Sequence, residues 1–149
     1  MKLREQKAKK LSEMKLKQLR EDCFHSLWTF AKVVEPHREY GDCHRELFEF
    51  WQHSDTISMD NTLALMPRDH QKSHCLAVRC AWEIYKNPAI TIIYISATTG
   101  LAERQLLDIQ NIIESPQFTM LSPNMINQDK GKRAMWNTKE MSVDHHDRK

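Results

Sequence analysis

Two short uncharged runs occupy the middle of the chain, Thr62-Leu63-Ala64-Leu65-Met66 and Thr91-Ile92-Ile93-Tyr94-Ile95-Ser96. Each has the length and continuous apolarity of a strand buried on both faces. Between them Leu76, Ala77, Cys80, Ala81 and Ile84 recur at helical spacing on one face, and Asn87-Pro88 closes that segment. A strand at 62–66, a crossover helix at 73–86 and a strand at 91–96 predict a right-handed parallel βαβ unit. A further amphipathic stretch at 101–114, with Leu106, Leu107, Ile109, Ile112 and Ile113, extends the order to βαβα. The predicted fold class is therefore α/β.

Ligands of parallel α/β folds bind beyond the carboxyl ends of the strands. Here the first run is followed by Pro67-Arg68-Asp69-His70-Gln71, and Lys72-Ser73 opens the helix. Strand, loop, Lys-Ser and helix is the order used by phosphate-binding loops. Backbone N–H groups and the helix N-terminus face the anion, Lys reaches the outer phosphates, and the Ser hydroxyl ligates Mg²⁺. The strict GxxxxGK[ST] spacing is not met, because Met66 and Gln71 stand at the two glycine positions. On pattern alone two readings stay open: a phosphate loop, or a surface turn in which Lys72 is a solvated charge beside a helix start.

The remainder frames this centre. Residues 1–36 form a basic helical segment in which Leu16, Leu19, Cys23, Phe24, Leu27, Phe30, Ala31 and Val34 build an apolar stripe towards Pro36. Its lysines and arginines could meet DNA phosphates, but a solvated helical face is the default reading of such a charge run. A second helix at 42–52 carries Leu47, Phe48 and Trp51. Beyond Pro123 the segment Asn124 to Arg133 is polar and basic and reads as a mobile loop. The 149 residues suit one domain, and 40% hydrophobic with 28% charged residues is globular composition. A net charge of +2 is too small to prove a nucleic-acid partner. Cys23, Cys43, Cys75 and Cys80 form no CxxC pair, which suggests reduced thiols. The longest apolar stretch, 89–97, is far below the roughly 20 residues of a membrane span, and no spacing of His and Cys suits structural zinc. Asp144-His145-His146-Asp147 is the one dense cluster of metal-binding side chains.

From about His44 onward the chain resembles the large terminase subunits of tailed bacteriophages. His44-Arg45-Glu46-Leu47-Phe48-Glu49-Phe50 is similar to the helix before the ATPase strand in that family. Leu65-Met66-Pro67-Arg68-Asp69-His70-Gln71-Lys72-Ser73 resembles its deviant Walker A loop, typically Pro-Arg-Gly-His-x-Lys-Ser. The stretch from Asn87-Pro88 to Ser96-Ala97-Thr98 and Leu101-Ala102-Glu103 matches its second strand and following helix, and Phe118, Pro123 and Trp136 echo a weaker downstream pattern.

The resemblance implies a partial P-loop NTPase fold at 37–149, with a parallel βαβ core behind the N-terminal helical segment. It implies ATP and Mg²⁺ as cofactors, bound by Pro67, Arg68, Asp69, His70, Gln71, Lys72 and Ser73. In it Lys72 contacts the phosphates, Ser73 ligates Mg²⁺ and Arg68 senses the outer phosphate. Gln52 falls where an adenine-recognition residue could stand. Asp69 replaces the usual Gly, which sets a carboxylate and a Cβ where backbone approaches a polyphosphate. The implied partners are double-stranded DNA, a portal protein, a small terminase subunit and further copies in a ring, with no membrane, in the host cytoplasm. After Ser96 no apolar strand ends in Asp-Glu, so the chain reads as truncated before Walker B and without the family's nuclease domain. A non-catalytic binding or assembly module, or another P-loop ATPase, are the alternatives.

Overall fold

The computed structural model describes residues 2–56, 61–127, 129–133 and 135–143. They form α1 (Lys2–His25), α2 (Leu27–Val34), α3 (Asp42–Thr56), α4 (Lys72–Lys86), α5 (Thr99–Glu114) and α6 (Pro116–Leu121), with a 3₁₀ turn at Lys130–Lys132.

The N-terminal segment is two helices, because Ser26 takes extended backbone and caps α2 by accepting the Thr29 N–H at 3.1 Å. Gln52 spans the break: its amide donates to the His25 carbonyl at 2.8 Å and accepts from the Leu27 N–H at 3.0 Å. In this structure both ends of the Gln52 amide, considered for adenine recognition, are engaged by backbone groups.

The core is a helical assembly. Leu27, Phe30, Ala31 and Val34 of α2 meet Leu47, Phe48 and Trp51 of α3 and the buried face of α4, and α4 packs extensively on α5. Phe30, Tyr85 and Phe118 form a triangle of rings with centroids 5.5 to 6.2 Å apart. Each fully buried ring of this kind contributes about 1.5–3 kcal/mol by removal from water. The buried Trp82 indole donates to the Cys23 carbonyl at 2.8 Å and so ties α4 to α1.

The predicted α/β class, with its parallel βαβ core and partial P-loop NTPase fold, is not what forms. Among the described residues the only β pairing is one antiparallel bridge, Trp136 with Met141. Neither 62–66 nor 91–96 is a strand, and apart from the Met66 carbonyl no backbone group of either run is hydrogen-bonded among the described residues. The period-two alternation persists in burial: Ala64 and Met66 pack on the helical core and Tyr94 is half-buried, while Leu63, Leu65, Ile93 and Ile95 are 77 to 87% exposed. The physical reason is that a strand needs a neighbour. Local propensity makes a run β-prone, but only a laterally adjacent chain can take up its N–H and C=O groups.

The tail differs in part from a mobile loop. Met125 and Ile126 are buried, and the Arg133 guanidinium pairs with Glu114, donates to the Asn127 carbonyl at 2.9 Å and covers the Trp136 ring. Arg133 is therefore an internal strut. The Asp144-His145-His146-Asp147 cluster lies outside the described residues.

Candidate functional site

Among the described residues α4 starts differently from α2, α5 and α6. Ser26, Thr98 and Ser115 cap α2, α5 and α6 through their hydroxyls, whereas the residue preceding α4, Gln71, makes no side-chain cap. The first α4-side amide with a backbone acceptor is Cys75, which donates to the Gln71 carbonyl at 2.9 Å. The N–H groups of Lys72, Ser73 and His74 thus lack partners among the described residues, as expected at an uncapped helix N-terminus.

Ahead of it, Asp69 and Gln71 have φ of 63° and 51°, the left-handed region, although neither is glycine. Gln71 stands at one position where a phosphate loop has Gly, and its backbone takes the conformation that glycine favours. Lys72 folds back over the turn and donates to the Met66 carbonyl at 3.4 Å. His70 lies 2.8 Å from the Arg68 carbonyl, a local turn contact. Residues 67–73 are all exposed. The turn therefore brings the Lys72 ammonium, the Arg68 guanidinium and a free helix N-terminus into one short segment. These groups suit an oxyanion, and the Asp69 carboxylate opposes one.

Several side chains outside residues 67–73 hold this segment. Gln105, buried in α5, donates to the Ser73 carbonyl at 2.7 Å. Arg38 donates from Nη1 to Gln71 Oε1 at 2.6 Å, and its Nε forms an ion pair with Glu35 Oε2 at 3.2 Å. Glu35 Oε2 also lies 2.6 Å from His74 Nε2 and accepts from the Tyr40 hydroxyl at 2.6 Å. Burial alone would raise the Glu35 carboxyl, but hydrogen bonds from His74 and Tyr40, with the charges of His74 and Arg38, bring it below its ordinary value. Burial and the Glu35 carboxylate together push the Tyr40 hydroxyl up. Only Gln105 left a signal in the sequence, as an amide four residues before Ile109 on the core face of α5.

Ser73 is exposed, as a Mg²⁺ ligand must be, but no group of three or more His, Cys, Asp or Glu side chains gathers into a metal site among the described residues. The charges of the segment suit an anion better than a metal ion. No family model, no curated protein and no solved structure matches this chain.

Proposed function

We propose that residues 67–73 bind the phosphates of ATP, and that the chain carries the nucleotide-binding part of a viral DNA-packaging ATPase of the terminase large subunit type. The observation that carries this reading is the uncapped start of α4, with its left-handed Gln71 and with Lys72 folded over the turn. Backbone amides at a helix N-terminus favour anions, and a lysine within the same turn adds a mobile positive charge. In this reading Lys72 swings from the Met66 carbonyl to the outer phosphates, Arg68 contacts the outermost one, and the Ser73 hydroxyl helps hold Mg²⁺. Pro67, Asp69, His70 and Gln71 supply the backbone of the cradle. ATP with Mg²⁺ is the cofactor, and double-stranded DNA, a portal protein, a small terminase subunit and further copies of the chain are the proposed partners.

A second reading, a binding or assembly module without turnover, is favoured by the missing acidic cluster among the described residues, since phosphoryl transfer to water depends on carboxylates that hold Mg²⁺ and orient the attacking water. Thermal melting with and without Mg-ATP tests nucleotide binding, because a ligand that binds only the native state raises the melting temperature. The increase should disappear in Lys72→Ala. Equal shifts in both proteins, or none in either, would remove residues 67–73 from consideration. Phosphate release with Mg²⁺ and DNA, again against Lys72→Ala, separates the motor from the module.

A further inference from the structure

We propose that Glu35 is a positioning residue for the Lys72-Ser73 turn, gripping the residue before it through Arg38 and the residue after it directly through His74. The functional consequence rests on the phosphate reading above; the clamp itself rests on geometry alone.

Glu35 lies at the C-terminal end of α2, and its Oε2 gathers three partners: Tyr40 Oη at 2.6 Å, His74 Nε2 at 2.6 Å and Arg38 Nε at 3.2 Å. The second arm of Arg38 then reaches Gln71 Oε1 at 2.6 Å. One carboxylate is thereby connected to positions 71 and 74, which bracket Lys72 and Ser73. The Glu35 and His74 side chains are 18% and 17% exposed, so their contact is largely shielded from water and holds more firmly than a surface pair. A left-handed residue other than glycine persists where its surroundings over-determine it, and for Gln71 the visible constraint is Arg38. From the opposite side Gln105 fixes the Ser73 carbonyl. The turn is thus held from α2 and α5 while its own side chains remain exposed. That is the arrangement a binding segment needs in order to be rigid without being blocked.

Hydrogen exchange of the whole chain without nucleotide tests the clamp at the amides of residues 75–77, the first protected turn of α4. Glu35→Gln should speed their exchange about tenfold or more, the effect of losing a charge-assisted hydrogen bond, and leave α3 and α6 unchanged. Arg38→Met and Gln71→Met should each reproduce part of this effect, and the double variant should add nothing to the larger single effect, because both remove the same bond. Arg38→Lys, which keeps the charge and loses the two-armed fork, serves if Glu35→Gln does not fold, and it too should loosen 75–77. Unchanged exchange in Glu35→Gln or in Arg38→Lys, or additive single effects, would overturn the clamp. In the same samples, at a temperature where both proteins are fully folded, Mg-ATP should bind about tenfold more weakly to Glu35→Gln. Equal affinity in wild type and variant would overturn the positioning role. Faster exchange in the variant, together with no nucleotide binding by the wild type, would support the clamp and overturn the ATP reading.

Discussion

Gln105 and Ser73, 32 positions apart in sequence, are joined by a 2.7 Å hydrogen bond from the Gln105 side-chain amide to the Ser73 carbonyl. Gln105 is 3% exposed, so an amide is buried on the core face of α5 to reach the start of α4. Gln105→Leu fills the same space without the donor, and its effect on unfolding free energy should stay within about 1 kcal/mol. The stabilisation by Mg-ATP should nevertheless fall, as the turn loses its α5 support. Urea unfolding with and without nucleotide checks both, and an undiminished nucleotide effect would show that the Ser73 carbonyl needs no such tie.

Asp69 sits at φ 63° with its carboxylate beside the candidate anion site. Asp69→Gly removes a charge whose repulsion at an exposed site is on the order of 1 kcal/mol per neighbouring charge, so Mg-ATP should bind about fivefold more tightly. Relief of the left-handed backbone and the greater freedom of glycine when unfolded oppose each other, leaving stability within about 1 kcal/mol. Calorimetric titration measures the affinity, and weaker binding in Asp69→Gly would assign the carboxylate a compensated or helpful role.

Three thiols should make the protein sensitive to alkali. Burial pushes Cys23, Cys75 and Cys80 each from 9.0 up to about 11, while Cys43 is exposed. A folded-state value above the unfolded one favours the native protein below about 9, and that advantage is lost as pH rises through 11, by on the order of 1 kcal/mol per pH unit for each thiol. Urea midpoints at pH 8 and pH 10.5 should therefore differ clearly, and an aromatic disulfide reagent should label one thiol quickly in the native protein and four after denaturation. A flat profile across this window, or rapid labelling of several native thiols, would contradict the buried placement.

Phe118 carries the attachment of α6 to the core, since it is fully buried and meets the rings of Phe30 and Tyr85. Phe118→Ala should cost about 3–5 kcal/mol, the usual range for deleting a buried aromatic ring. Chemical denaturation followed by far-UV circular dichroism measures the loss. A cost under about 1 kcal/mol would mean that α6 lies outside the cooperative unit.

The helices were legible because their signal is local. The stretch predicted at 73–86 forms over Lys72–Lys86, and the one at 101–114 forms over Thr99–Glu114, with Thr98 as the cap. Leu27, Phe30, Ala31 and Val34 fall on a buried face as their spacing indicates, although the break at Ser26 was missed: a serine inside a helical pattern becomes a cap only when its backbone turns extended. The two apolar runs misled because apolarity reports burial, and pairing depends on chain that lies elsewhere. At the candidate site the Lys72-Ser73 pair and its loop were visible as a pattern. The clamp was not, because Glu35 and His74 are 39 positions apart and no local periodicity connects them.

The open faces at 62–66 and 91–96 also bear on how the protein behaves at high concentration. Thr91 to Ser96 is a six-residue window without charge, proline or glycine, with three isoleucines and a tyrosine, and neither it nor Thr62 to Met66 contains a lysine or glutamate gatekeeper. Such windows are templates for intermolecular cross-β growth. Purified at millimolar levels, the chain would scatter light and bind amyloid dyes in proportion to how long these windows stay uncovered. A single Ile93→Lys substitution, on the 80% exposed side and away from the helical layer, would suppress that growth without disturbing the core.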